Sequence, residues 1–185
     1  MQERFQTSAD AKTMGRSAYY QMLKKVSLGE LVKIKAGVYA SYEQLADTMI
    51  DVEAVVPGGV LCLFTAWNVY NLTTTVPQAY HIAVKRGRKV KDITFPKIQI
   101  HHVSPDIFEL GVESKNIGGY NVRIYDKERC VSDAIKFRNK IGIDVCAEVL
   151  NEYLNLRERN IPKLMQYAKV LRVENILKRY LEVKL

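Results

Sequence analysis

RSAYYQMLKKVSLGELVKIKAGVYA, residues 16–40, decides how this chain is read. Apolar residues fall at Tyr19, Met22, Leu23 and Val26, the i, i+3, i+4, i+7 spacing that lays one apolar stripe along a helix. The opposite face then carries Arg16, Ser17, Tyr20, Gln21 and Lys24, with Lys25 beside them. Gly29 ends that helix in a turn. From Leu31 the period changes to two: Val32 and Ile34 alternate with Lys33 and Lys35, which predicts a half-buried strand with a basic outer face. Ala36-Gly37 makes a tight turn, and Val38-Tyr39-Ala40 returns as a second short strand. A helix, a turn and a basic two-stranded ribbon follow one another as in the second half of a winged helix.

Upstream, Thr7 to Met14 predicts one more helix, with Thr7 or Ser8 as its N-cap. A complete winged helix has another helix before that one, and only about six residues precede Thr7. Three explanations stay open: an abbreviated module, a partner that replaces the first helix, or a natural chain that begins earlier. Downstream, residues 43–55 predict a connecting helix, stopped by Pro57-Gly58-Gly59. The apolar run Val60 to Leu72, which holds the single tryptophan, Trp67, predicts a buried helix. Four strand-like runs follow: Ala79 to Val84, Lys97 to Val103, Ile107 to Val112 and Tyr120 to Tyr125, the last entered through a hairpin turn at Gly118-Gly119. From Lys127 to the end the period is helical. Apolar stripes run through Cys146, Val149, Leu150, Tyr153 and Leu154, then Ile161, Leu164, Met165, Ala168 and Leu171, then Val173, Ile176, Leu177, Tyr180 and Leu181. The expected class is α+β: a winged-helix module over residues 1–42, then a domain over 43–185 in which helices cover a small mixed or antiparallel sheet, with a helical C-terminal tail.

The bulk numbers fit this division. A chain of 185 residues with 48% hydrophobic and 26% charged residues has the composition of a soluble globular protein. No apolar run reaches the ~18 residues of a membrane span, and the first residues carry no secretory signal. Cys62, Cys130 and Cys146 form no CxxC pair; reduced core thiols in a cytoplasmic protein are the expectation. The net charge is +8, and residues 1–42 hold seven Lys/Arg against three acids, so half of the excess lies on less than a quarter of the chain. Such concentration points to a polyanionic partner.

The chemistry available is that of binding. A helix fits the major groove, where Arg16, Ser17, Tyr20, Gln21, Lys24 and Lys25 would meet base edges and phosphates. Lys33 and Lys35 on the ribbon would hold the adjacent backbone. Lys85, Arg86, Arg88, Lys89 and Lys91 crowd around Gly87 at the end of a strand, either a second nucleic-acid contact or an ordinary solvated turn. Catalytic and metal patterns are missing from the sequence. There is no GxxxxGK[ST] loop, HExxH or GxSxG. His101 and His102 are neighbours on a strand and so face opposite ways. Arg129 and Asp133 stand four apart on a helix, the spacing of a structural ion pair. No cofactor, no metal and no enzymatic activity are expected.

Four segments in order resemble the AbiEi family of antitoxins from type IV toxin–antitoxin systems. Leu31 to Ala40 resembles that family's basic wing with its Gly-Val-Tyr turn. Gly59 to Trp67, followed by Asn71-Leu72-Thr73 and Val76-Pro77, resembles a small-residue helix that ends in Leu-Thr and then Pro. Val122-Arg123-Ile124-Tyr125-Asp126-Lys127-Glu128-Arg129-Cys130-Val131-Ser132-Asp133 resembles the family's strand-to-helix signature, and the tail with Ala147, Leu150, Tyr153-Leu154, Leu164 and Tyr167-Ala168 fits as well. The resemblance implies an abortive-infection antitoxin that represses its own operon by binding operator DNA through the winged helix. It also implies a C-terminal domain that counters a nucleotidyltransferase-like toxin without a stable complex. The chain lacks the Gly-Ser followed by paired carboxylates that such a toxin would need for its metal. The alternative from the residues alone is a winged-helix regulator, unrelated to any toxin, whose second domain senses a ligand or dimerises.

Overall fold

The computed structural model describes residues 5–46, 49–93 and 95–184. The chain opens with β1 (Gln6–Thr7), α1 (Ser8–Thr13), α2 (Arg16–Ser27), β2 (Val32–Lys35) and β3 (Val38–Ala40). Thr7 caps α1, its Oγ1 accepting from the Asp10 amide at 3.0 Å. The chain turns from α1 into α2 at Gly15, whose φ of +111° only glycine adopts without strain. The three strands form an antiparallel sheet in the order β1-β3-β2, with Gln6 opposite Tyr39 and Thr7 opposite Val38. The two-residue β1 is new relative to the sequence reading. It ties the start of the chain to the wing, and Phe5 just before it is buried against Tyr120, the rings edge-on at 6.2 Å.

The connecting helix expected over 43–55 is two pieces, α3 (Tyr42–Ala46) and α4 (Val52–Val55). The reason lies at Asp51: its Oδ1 accepts from the Ala54 amide at 3.0 Å, so it starts a new helix instead of continuing the old one. The apolar run from Val60 is likewise divided, into β4 (Val60–Leu61) and α5 (Leu63–Val69). A uniformly apolar run carries no period with which to tell the two apart. Trp67 on α5 is fully buried and donates its indole N–H to the Cys130 carbonyl at 3.1 Å.

Next come β5 (Tyr80–Lys85), β6 (Ile98–Val103), α6 (Pro105–Phe108), β7 (Val112–Ile117) and β8 (Tyr120–Tyr125). The strand expected over Ile107 to Val112 is instead the short α6, a turn and the first residue of β7. Pro105 stands in the first turn of α6, where its fixed φ favours helix and its missing N–H costs nothing. The hairpin between β7 and β8 closes at Gly118-Gly119 as expected, with Ile117 opposite Tyr120. The five strands make a mixed sheet in the order β6-β5-β4-β8-β7; the β4–β8 and β5–β6 pairs are parallel, the β4–β5 and β7–β8 pairs antiparallel.

Helices α7 (Lys127–Ile141), α8 (Ile143–Asn155), α9 (Ile161–Val170) and α10 (Glu174–Lys184) complete an α+β fold with a helical tail. Each of the three expected stripes supplies core: Cys146, Val149, Leu150 and Tyr153; Leu164, Ala168 and Leu171; Val173, Leu177 and Leu181. The three cysteines are free and buried. One apolar core runs through the sheet and helices and takes in Phe5, Ile34, Val38 and Ala40 from the N-terminal module. No helix among the described residues is long and apolar enough to cross a membrane.

Candidate nucleic-acid interface

Helix α2 presents the polar face that its spacing predicts. Arg16, Ser17, Tyr20, Gln21, Lys24 and Lys25 are exposed; Met22 is buried, and Tyr19, Leu23 and Val26 are half-buried beside it. Tyr20 is 63% exposed, an aromatic ring held toward solvent with the edge of Tyr19 at 6.2 Å. The N-terminus of α2 has no side-chain cap, because Gly15 occupies the N-cap, and Arg16 follows at the first helical position. An uncapped helix N-terminus with a cation beside it favours a phosphate.

The ribbon departs from its predicted pattern at one residue. Lys33 is exposed and opposite Tyr39, but the register shifts between Lys33 and Lys35. That irregularity sends Lys35 toward the larger domain, where its ammonium donates to the Val55 carbonyl at the end of α4. Burial, with Lys91 and Arg88 nearby, lowers the Lys35 pKa. Lys35 is therefore not the free phosphate contact expected of an alternating strand. It marks the place where two sequence-distant basic segments meet, the ribbon and the Arg88–Lys91 run.

That run does not act as one tip. Gly87 turns the chain, and Arg88 N–H donates to the Lys85 carbonyl at 3.1 Å. Lys85 pairs with Glu109 at 3.5 Å and lies over the Phe108 ring. Lys89 and Lys91 are exposed. Arg86 lines a separate cleft with His101, Lys136 and Lys140. Of the five, Arg88 and Lys91 come near the ribbon.

Beside α1 and α2 lies an open groove of about 450 Å³, lined by Phe5, Ala11, Met14, Ala18 and Met22 among others. Met14 is 80% exposed there.

The strand-to-helix segment at Asp126 to Asp133 is a buried network. Asp126 caps α7 by accepting from the Arg129 amide at 2.8 Å, and its other oxygen accepts from Tyr167 at 3.1 Å and pairs with Lys163 at 3.0 Å. Glu128 accepts from Tyr153 at 2.9 Å and pairs with the same Lys163 at 3.2 Å. Burial alone would pull the Lys163 pKa down; the two carboxylates outweigh it and push the pKa up. Arg129 pairs with Asp133 at 3.1 Å, donates to the Ile107 and Leu110 carbonyls at 2.7 and 2.9 Å, and stacks over Tyr125. Burial raises the Asp133 pKa against the opposing pull of Arg129. The ion pair expected at i, i+4 is present; the links from Asp126 and Glu128 to Lys163 and Tyr167 on α9 reach far along the chain, 41 residues for Tyr167 to Asp126, and leave no local pattern to read.

Two histidines missed as a pair come together across β5 and β6. His81 Nδ1 and His101 Nε2 are 3.0 Å apart and the rings stack 5.1 Å apart, while His102 faces away, exposed. Burial and then His101 lower the His81 pKa to about 4. Among the described residues no group of three His, Cys, Asp or Glu is placed to hold a metal ion.

The fold and this surface define a class of architecture: an α+β protein whose N-terminal helix–turn–helix and ribbon carry an exposed polar and basic face. No protein-family model matches the chain, and no curated protein matches it.

Proposed function

We propose that the chain is a cytoplasmic DNA-binding repressor that also serves as the antitoxin of a bacterial toxin–antitoxin pair of the AbiEi kind, and that it is not an enzyme. The observation that carries the DNA reading is the face of α2. Arg16, Ser17, Tyr20, Gln21 and Lys24 project from one exposed side of a helix that opens on an uncapped N-terminus, and Lys33 follows on the ribbon. Docked in the major groove, Arg16 and Gln21 meet base edges, which specify, while Lys24, Lys25 and Lys33 meet phosphates, which position. Arg88 and Lys91, gathered near Lys35, extend the positive surface past the ribbon.

The antitoxin half of the reading rests on the order of the four sequence segments. One of those four segments, Val122 to Asp133, joins the sheet to α7 and α9 through its buried network at Asp126 to Asp133.

The test is fluorescence anisotropy with duplex DNA from upstream of the gene, against a scrambled duplex, over a salt series. Sequence-specific binding with a steep negative salt slope is expected. Weak binding indifferent to sequence removes the repressor reading. Rescue of growth on co-expression with the product of the adjacent reading frame tests the antitoxin reading separately.

A further inference from the structure

We infer that the cleft between β6 and α7 is a binding site for a free nucleotide, with its phosphates held by Arg86, Lys136 and Lys140. The cleft has a volume of about 370 Å³, within the range of ligand-binding clefts and far too small to admit a duplex. None of its lining residues belongs to the first 42, so it is a different surface from the DNA-binding face.

The α7 wall is a single stripe. Arg129, Asp133, Lys136, Phe137 and Lys140 fall at i, i+4, i+7, i+8 and i+11, and all line the cleft. Across it stand Arg86, at the end of β5, and His101 on β6. Charge in the cleft is one-sided. Asp133 is the only carboxylate in the lining; it is buried and committed to Arg129 at 3.1 Å, with Lys136 adding a weaker pull. Among the described residues Arg86, Lys136 and Lys140 have no ion-pair partner. A solvated basic face spreads its cations over a convex surface. Here three exposed cations line one concavity whose walls are partly low-dielectric, which focuses a positive potential where an anion would sit.

The apolar part of the lining selects the kind of anion. Leu63, Ile100, Ile107 and Phe137 leave room for a flat or apolar body beside the cations, which a bare phosphate would not fill. A phosphate ester with an aromatic group, the chemistry of a nucleoside polyphosphate, matches both parts. Lys136 and Lys140 are exposed on α7, so replacing them removes charge and leaves the core alone.

Isothermal titration calorimetry on the full chain tests this with ATP, GTP, adenosine, inorganic phosphate and duplex DNA. The titrations use the wild type, Lys136→Ala, Lys140→Ala and, as a control, Lys24→Ala, each checked for an unchanged melting temperature. At least one triphosphate is expected to bind, about tenfold weaker in each cleft variant and unchanged in Lys24→Ala. Adenosine is expected not to bind, and inorganic phosphate to bind at least about tenfold more weakly than the triphosphate. Failure of both triphosphates to bind, or binding indifferent to both cleft lysines, overturns the inference. Phosphate binding as tightly as the triphosphates overturns the nucleotide assignment. Loss of DNA affinity in the cleft variants without nucleotide binding would make the cleft a second DNA contact and overturn it as well.

Discussion

Helices α2 and α7 are both rich in charge, and they use it in opposite ways. Of the twelve residues of α2 only Met22 is buried, so its cations project into solvent. Eight consecutive residues of α7, Glu128 to Ile135, are buried, and their charges are spent on one another, on Lys163 of α9 and on backbone carbonyls. The same side-chain types thus stay open to solvent in α2 and are built into the core over this stretch of α7. Burial decides what each can do, since an exposed cation remains available to a partner while a buried one must already have it.

The largest effect that would sharpen this contrast is Arg129→Ala. It leaves Asp133 buried without its partner and frees two carbonyls, so urea denaturation should show a loss of about 3–5 kcal/mol. A loss below about 1 kcal/mol would mean that α7 behaves like a surface helix and would break the comparison. Arg16→Ala and Lys24→Ala should do the reverse. Each should weaken operator binding by about 1–3 kcal/mol with the melting temperature unmoved, and unchanged affinity in both would remove α2 from recognition. A smaller effect comes from His81. In the unfolded chain it takes up a proton near the ordinary histidine value of 6.5, but in the folded protein burial and the neighbouring His101 hold that back to about 4. Stability is therefore full above pH 6.5 and declines as pH falls toward 4. His81→Gln should flatten that part of the stability profile; an unaltered slope would place the titration elsewhere. Smallest is the difference between the two wing lysines. Lys33→Ala should make the salt slope shallower by about 0.9, whereas Lys35→Ala should leave it unchanged, because that ammonium already serves the Val55 carbonyl.

What the sequence made legible was whatever repeats locally. The stripe at Tyr19, Met22, Leu23 and Val26, the Gly118-Gly119 turn and the three C-terminal stripes each carry their own period, and each is found in place. What depends on distant partners was not legible. β1 has two residues and exists because β3 is beside it. β4 lies in a run with no period, and the helix that Pro105 opens runs into the segment, Ile107 to Val112, that looked like strand. The interface followed the same rule. The α2 face was read directly, but the turning-in of Lys35 needed the register shift in β2, and its approach to Arg88 and Lys91 needed the two segments folded together. The pairing of His81 with His101 needed the parallel register of β5 and β6, in which Ala83, not His81, stands opposite His101.

Trp67, the only tryptophan in the chain, is sealed between α5 and α7 with its indole bound to Cys130. Intrinsic fluorescence is therefore an optical channel for the sheet-and-helix domain alone. Its emission should lie to the blue and shift red when that domain opens, while fraying or docking of α1, α2 and the ribbon leaves it silent. A tyrosine-sensitive or backbone signal that changes before the tryptophan emission would time the loosening of the N-terminal module against that of the rest.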